Sequence, residues 1–579
     1  VPTSNQSQGF GRVLDMENAC FERLTSLENV TLFERWYAPL QEKHLLVHEM
    51  HFTSLTDDDS ITVELILQET KESDDLNVTR VDIGVMNGTQ RVPETPDKYT
   101  IISYARSTSI PTNVTLKPRE SLQISLLTAI AIKSEPNDPE PIDVVRALID
   151  KYEHTNTTET LFIGHRDMWN RRSEYGRIEV AGDLNLATAV NASLYYLRSS
   201  IREDNFFGMS PGGLASDGYH GHTFWDQETW MYPPILLLEP ESARAMIQYR
   251  FNRLAAAKEK AQNCVPNSTT ESYCPNDMTT EAAMFPWESA VSGQEVQYSN
   301  GVIGNWGKYE QHITGDIALA VKMFYDVTQN VTWLERIGFP IVNGTASFFA
   351  SRIEGNTINN VMPPDEFACP VNSSVYTNSV AKIALSFASE ASKILNLSDD
   401  TPYERFRYLA ENILIPFQDG YHPEYVPFDS SKQIKQADVV LLNFPLMVNL
   451  TDDALRNDLE MYSKLTSTSG PAMTWASFAI NYFSLGDFET SKSYFKRGYA
   501  NVQAPFNVWT ETPTGGTVNF LTGAGGFLQS LVFGTSGLRI QDDGSLTFKA
   551  PPSRATGTNA TTISLHSFHY LGARLRQDV

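Results

Sequence analysis

The sequence predicts a multidomain α+β chain, with a β-rich N-terminal segment, a large helical domain and a small β-rich C-terminal segment. Three observations lead there. Residues 1–135 read as short alternating stretches, among them "LLVHEMHFTSL", "SITVELILQ" and "SLQISLLTAIAI", separated by turn-rich loops. Between residues 160 and 536 apolar residues recur at i, i+3/i+4, as in "NLATAVNASLYYLRSSI" and "HITGDIALAVKMFYDVT". After Gly537 alternation returns in "LRIQDDGSLTFKAPPS" and "TISLHSFHYLGARL".

The alternation over residues 1–135 predicts an N-terminal β-sandwich. Residues 136–159, "PNDPEPIDVVRALIDKYEHTNTTE", form a Pro-rich linker running into a short helix. Many amphipathic helices then follow without intervening strands, which predicts a toroid of helix pairs over residues 160–536. No fixed repeat of 30–45 residues argues for a solenoid instead. Residues 537–579 complete the chain as a small C-terminal β-sheet.

The balance of charge limits the partners. A net charge of −24 disfavours nucleic acid and anionic membrane surfaces, since phosphate binding needs clustered Lys and Arg. No apolar run approaches the ~20 residues that cross a bilayer. A neutral ligand such as a sugar suits this surface. The chain opens "VPTSNQSQ", which reads as a mature N-terminus after removal of a signal peptide. Fourteen Asn-x-Ser/Thr sequons reinforce a secreted or lysosomal glycoprotein, where chance would give roughly five. Those expected to carry glycans are Asn29, Asn77, Asn87, Asn113, Asn156, Asn267, Asn330, Asn343, Asn396, Asn449 and Asn559. Of the four cysteines, Cys264 and Cys274 bracket a polar loop and are the natural local disulfide. Cys20 and Cys369 read either as a long-range bridge or as two thiols. No Cys-x-x-Cys spacing suggests zinc. Oligomeric state is not legible.

Five loops carry the chemistry. "SPGGLASDGYHGHTFWDQETWMYPP" offers Gly212 and Gly213 for close backbone approach, Trp225 and Trp230 as flat apolar faces, and Asp226 as an acceptor for sugar hydroxyls. "FPWESAVSGQEV" adds Trp287, Glu288 and Glu295. "MPPDEFACP" sets Asp365 and Glu366 on a stiff turn among prolines. "KQIKQADVVLLNFP" places Lys435, Gln436 and Asp438 ahead of an apolar run. "PFNVWTETPTGGTVNFLTGAGGF" places Glu511 after Trp509, and its glycines lack the Lys and spacing of a P-loop. Glu366 and Glu511 are the candidate acid and base of an inverting glycoside hydrolysis, which needs one protonated carboxyl and one ionised carboxylate roughly 6.5–9.5 Å apart. Phe367 and the prolines are expected to form apolar surroundings that keep Glu366 protonated.

These loops, in this order, resemble glycoside hydrolase family 65 from about His165 to Leu546. The resemblance implies an N-terminal β-sandwich, a linker, an (α/α)6 barrel and a C-terminal sheet, with no metal and no organic cofactor. It implies Glu366 as general acid, Glu511 as general base, Asp226 as holder of the terminal glucose, and Trp225, Lys435 and Gln436 as lining of its subsite. "GHTFWDQETWMYP", "NSSVYTN", "KQADVVLL" and "VWTE" look most like the branch that removes glucose from Glc-α-1,2-Gal on collagen hydroxylysine. The implied activity is an inverting exo-α-glucosidase. Phosphorylases of the family replace the base with a phosphate-binding loop, whereas Glu511 stands here in the hydrolase position. One departure bears on substrate: Ala368 and Cys369 follow Phe367 where that branch carries His, and fungal acid trehalases also carry Ala there. The alternatives are therefore an acid trehalase or a carbohydrate-binding glycoprotein with weak turnover. Asn372, within "NSSVYTN", is expected to be buried and unmodified.

Overall fold

The structure, a computed structural model, describes residues 9–66, 73–94, 100–108, 110–133, 138–153, 158–264, 274, 278–299, 302–397, 401–541, 544–549 and 561–578. It divides into two compact units, Val1–Glu174 and Tyr175–Val579.

In the first unit eight antiparallel strands form one sheet. Their order is Gly9–Asp15, Cys20–Ser26, Val30–Tyr37, Leu45–Ser54, Ser121–Lys133, Ile101–Arg106, Val85–Gln90 and Leu76–Asp82. Side chains alternate across a strand, so Leu45 and Val47 are buried on one face of the sheet and Met50 and Phe52 on the other. The two faces of the sheet are covered by different parts. The short pair Ile61–Glu64 and Asn113–Leu116 supplies Val114 and Leu116, which meet Val30 and Phe52. Helices Pro141–Glu153 and Thr158–Glu174 cover the opposite face, with Val145, Ile149 and Leu161 set among Tyr37, Val47, Leu127 and Ala129. The second of these helices stays with the sheet because its polar groups bond there. His165 Nε2 lies 3.0 Å from the Ala19 carbonyl, and Trp169 Nε1 donates to the Met16 carbonyl at 2.9 Å. The division therefore falls at 174/175, later than the 159/160 boundary that periodicity alone suggests.

The second unit is built from outer helices that each lead, through a long loop, to an inner one. The outer helices are Leu184–Ser199, Pro240–Asn252 with Leu254–Gln262, Phe339–Arg352, Thr401–Asn412, Asp452–Leu465 and Phe488–Gly498. Their inner partners are Gln227–Leu238, His312–Thr328, Val375–Ile394, the turn Val439–Leu441, Thr474–Ser484 and Leu521–Thr535. Every residue of Gln227–Leu238, Thr474–Ser484 and Leu521–Thr535 is buried. A helix apolar on all faces belongs inside a core rather than on a surface. Each inner element packs on the next, and Leu521–Gln529 packs on Gln227–Leu238, which closes the ring as an (α/α)6 barrel. The fourth inner position is a 3-10 turn followed by Pro445, which lacks the N–H that a helix interior requires.

Ring closure depends on small residues. A Cβ on Gly525 would lie 2.6 Å from the Trp230 carbonyl oxygen and 2.8 Å from Met231 Cα. The colliding atoms are backbone and cannot rotate away. Gly525→Val is expected to destabilise this unit by about 3 kcal/mol, the upper part of the range for over-packing, as read by urea denaturation.

The C-terminal sheet draws its first strand from far upstream. Arg177–Ala181 pairs with Thr562–Tyr570, which pairs in turn with Ala573–Asp578. Ile178, Ile563, Leu565 and Phe568 are buried in the barrel core. No helix among the described residues is long and apolar enough to cross a membrane.

Cys264 and Cys274 form the expected disulfide, with Cα atoms 5.7 Å apart. Cys20 and Cys369 are free thiols. Among the sequons, Asn29, Asn77, Asn113, Asn330, Asn396 and Asn449 are exposed, and Asn87 and Asn343 are half-buried. Asn372 is exposed as well, contrary to the burial expected of it. Asn156, Asn267 and Asn559 lie outside the described residues.

Candidate active site

All five motif loops run from an outer helix to the next inner one, so their functional residues gather at the N-terminal ends of the inner helices. Asp226 opens the helical run Gln227–Leu238 but makes no capping bond with its side chain. Its Oδ1 instead accepts from Thr522 Oγ1 at 2.6 Å, on the inner helix that closes the ring. Asp226 is 8% exposed. Burial pushes its pKa up to about 7, and the charges of Glu511 and Glu366 add to the rise. Asp226, Glu511 and Glu366 thus lie within electrostatic reach of one another.

A folded-state pKa above the unfolded value of 3.8 means that the native state holds the proton more tightly. The contribution is present in full below about pH 3.8 and is lost as pH rises through about 7. Asp226→Asn is expected to remove on the order of 4 kcal/mol of that pH dependence. Urea melts of wild type and variant at pH 4 and pH 7.5 check it, and parallel pH profiles would refute it.

Glu511 stands on the strand Val508–Thr512, which forms a hairpin with Gly515–Val518. Trp509, fully buried, ties this hairpin to the first outer helix through Nε1 to Ser193 Oγ at 3.1 Å. Both Glu511 oxygens are held: Tyr219 OH donates to Oε1 at 2.8 Å, and the Thr517 N–H donates to Oε2 at 3.0 Å. Gly516 takes φ +76° in this turn, and a Cβ there would sit 2.8 Å from Glu511 Oε2. Burial, with the Glu511 charge beside it, raises Tyr219 well above the ordinary phenol range, so it keeps the proton it donates. Tyr219 and the adjacent His220 have φ of 62° and 53°, a left-handed conformation that costs a non-glycine residue energy. Strain of this kind collects where a side chain must be aimed.

Glu366 also accepts with both oxygens. Trp306 Nε1 donates to Oε2 at 2.6 Å and Lys435 Nζ to Oε1 at 2.7 Å. Burial pulls the lysine pKa down, but Glu366 beside it leaves the value raised, so Lys435 is a cation. Phe367 is 64% exposed and turned to solvent. It does not supply the apolar wall expected of it; the surroundings of Glu366 are an indole N–H and an ammonium. Asp365 lies behind, accepting from the Lys435 N–H at 2.7 Å and the Phe367 N–H at 3.3 Å. Gln436 is buried and gives its amide to the Pro364 carbonyl at 2.7 Å. It braces the turn that carries Glu366.

The remaining expectations divide. Trp225 is 3% exposed, with its ring edge-on to Trp230, His312 and Tyr376, so it has little face to present. Trp230 is wholly core. Trp287 is half-buried, and its ring meets those of Phe224 at 4.9 Å and Trp306 at 5.9 Å. Glu288 pairs with His222 Nδ1 at 2.8 Å. Glu295 is an internal staple for its loop, accepting from the N–H groups of Trp287, Glu288 and Gln297 and from Lys260 Nζ. Gly212 and Gly213 accommodate Thr517 and Asn519 rather than an open space.

Tyr219, Trp306, Thr517 and Thr522 were not anticipated. Tyr219 lay inside a quoted loop without a distinguishing neighbour, and "NWGKY" carries no motif at all. Only Asp15, Cys20 and Glu22 bring three metal-type ligand atoms within 4.8 Å among the described residues. They sit on the first hairpin of the other unit, where Asp15 opposes Cys20 in register and Glu22 pairs with Arg35 at 3.0 Å.

The pattern known as the central catalytic domain of glycosyl hydrolase family 65 matches residues 191–425. A protein-glucosylgalactosylhydroxylysine glucosidase of Dictyostelium discoideum is 39% identical over 97% of this chain and 78% of its own length. A kojibiose hydrolase of Mucilaginibacter mallensis is also 39% identical, over 63% of this chain and 52% of its own. In three dimensions the chain resembles a kojibiose phosphorylase from the human microbiome with a TM-score of 0.77, at 16% identity, over 98% of this chain and 82% of that one.

Proposed function

The chain belongs to glycosyl hydrolase family 65 as an α-glucosidase-type glycoside hydrolase, and from that premise we propose an inverting exo-α-glucosidase acting on glucosylgalactosylhydroxylysine. The observation that carries this reading is the pair of carboxylates held by different donors at one end of the barrel, with Asp226 between inner helices beside them. Asp226 takes hydroxyls of the terminal glucose. Glu366 gives its proton to the glycosidic oxygen as the C–O bond breaks. Trp306 Nε1 and Lys435 Nζ are in place to receive the negative charge left on it. Glu511 takes a proton from a water that attacks the anomeric carbon from the opposite face, which inverts the configuration. Tyr219 and the Thr517 N–H aim the base while it does so. Trp287 and Glu288 complete the sugar site in this reading.

Incubation with Glc-α-1,2-Gal-hydroxylysine, kojibiose and trehalose, followed by NMR of the first product, tests the proposal. β-Glucose released fastest from the hydroxylysine glycoside is the expected result. α-Glucose as first product would remove the inverting assignment, and faster cleavage of trehalose would make the enzyme an acid trehalase.

A secreted or lysosomal setting is part of the same reading, supported by the fourteen sequons, their frequent exposure and the disulfide. Treatment of protein made in eukaryotic cells with a peptide N-glycosidase should lower its mass. An unchanged mass would count against that setting.

A further inference from the structure

The turn carrying Glu366 is fastened from behind by three buried carboxyls. Asp365 is fixed by its own N–H, which donates to Asp438 Oδ2 at 3.0 Å, and it holds the Lys435 backbone at 2.7 Å. Lys435 then reaches forward to Glu366 at 2.7 Å. The third carboxyl is Glu424, with no exposure to solvent, on the segment that follows the fourth outer helix. It lies within hydrogen-bonding reach of the Asp365 carboxyl, and among the described residues no N–H donor reaches either of its oxygens.

Two carboxyls in contact form a hydrogen bond only when one of them carries a proton; as a pair of anions they repel. Burial, with Asp438 and Asp365 adding their charges, raises Glu424 far above the carboxylate range, and burial pushes Asp365 up to about 6. Both directions agree with a retained proton. On one side the turn borders a cleft of about 350 Å³, lined by Asp365, Cys369, Glu424 and Tyr425 among others, so packing does not fix it there. Its position rests on these hydrogen bonds.

We propose that a proton held between Glu424 and Asp365 sets the Lys435–Glu366 contact, which makes Glu424 a positioning residue for proton donation to the leaving group. This rests on Glu366 being the general acid. Glu424 touches no substrate and acts through Asp365 and the Lys435 backbone. The glutamine variant keeps a donor toward Asp365, while alanine leaves Asp365 unmatched.

The test compares Glu424→Ala and Glu424→Gln on Glc-α-1,2-Gal-hydroxylysine and on α-glucosyl fluoride, whose leaving group needs no proton. Alanine should lower kcat on the disaccharide about 100-fold, with KM changed less than about threefold, and lower turnover of the fluoride no more than about fivefold. Glutamine should restore at least about a third of wild-type kcat on the disaccharide. Equal losses on both substrates, no loss on either, or a glutamine variant no better than alanine would overturn the proposal. Glu366→Gln is measured in parallel. If that variant still cleaves the disaccharide at the wild-type rate, the reading of Glu366 fails. If it does not, and the Glu424 variants behave as wild type, only the present inference fails.

Discussion

Glu511→Gln is expected to lower kcat for disaccharide hydrolysis by about a thousandfold or more, with KM little changed, because in the proposed mechanism Glu511 deprotonates the attacking water. Glutamine keeps the size of the side chain, so the hairpin and the Tyr219 bond to Oε1 can persist. Only the Thr517 N–H or the water loses its acceptor. A fall of this size with an unchanged melting temperature isolates the proton transfer from folding. Glu366→Gln should fall comparably on the disaccharide and far less on α-glucosyl fluoride, since an acid matters only when the leaving group needs a proton. The pair of variants thereby separates the two roles: loss of the base harms both substrates, and loss of the acid harms one. A Glu511→Gln enzyme within tenfold of wild type would assign the base elsewhere.

Glu228→Ala is expected to cost about 3–5 kcal/mol of stability, the largest structural effect of any single change described here. Arg250 Nε and Nη2 donate to the two Glu228 oxygens at 2.8 Å each, and the arginine and glutamate side chains are 1% and 3% exposed. Arg250 also donates to the Phe224 carbonyl at 3.1 Å, and Gln227 donates to Glu228 Oε1 at 2.6 Å. The pair ties the outer helix Pro240–Asn252 to the first turn of the inner helix beside Asp226. Truncation leaves a guanidinium buried without a counter-charge, and that penalty dominates the expected cost. Urea denaturation of the variant gives the value. A loss below about 1 kcal/mol would mean that the site relaxes or admits water.

How much was legible follows from the range over which each property is decided. Alternation along Leu45–Ser54 and the i, i+3/i+4 recurrence of apolar residues along Thr474–Ser484 are local patterns, so strands and helices could be read directly. The pairing of Arg177–Ala181 with Thr562–Tyr570 could not, because five alternating residues carry no sign of a partner nearly the whole length of the barrel away. Helix Thr158–Glu174 reads the same whether it packs on a sheet or on other helices; His165 and Trp169 decide it by bonding to Ala19 and Met16.

The same division runs through the site. Residue type and order make Asp226, Glu366 and Glu511 the candidates, because acid–base chemistry on a sugar needs carboxyls and few loops hold them beside aromatics and glycines. Their surroundings were not written there. Phe367 adjoins Glu366 in sequence yet points to solvent, while Trp306 and Lys435, sixty or more positions away, supply the actual contacts. A peptide bond fixes which residues are neighbours along the chain, but a proton's affinity depends on dielectric and charge within a few ångströms through space. The sequence by itself determined which groups are available for catalysis and which faces must be buried. Only the tertiary structure decided which carboxyls meet an indole, an ammonium, a phenol or each other, because those contacts join residues far apart along the chain.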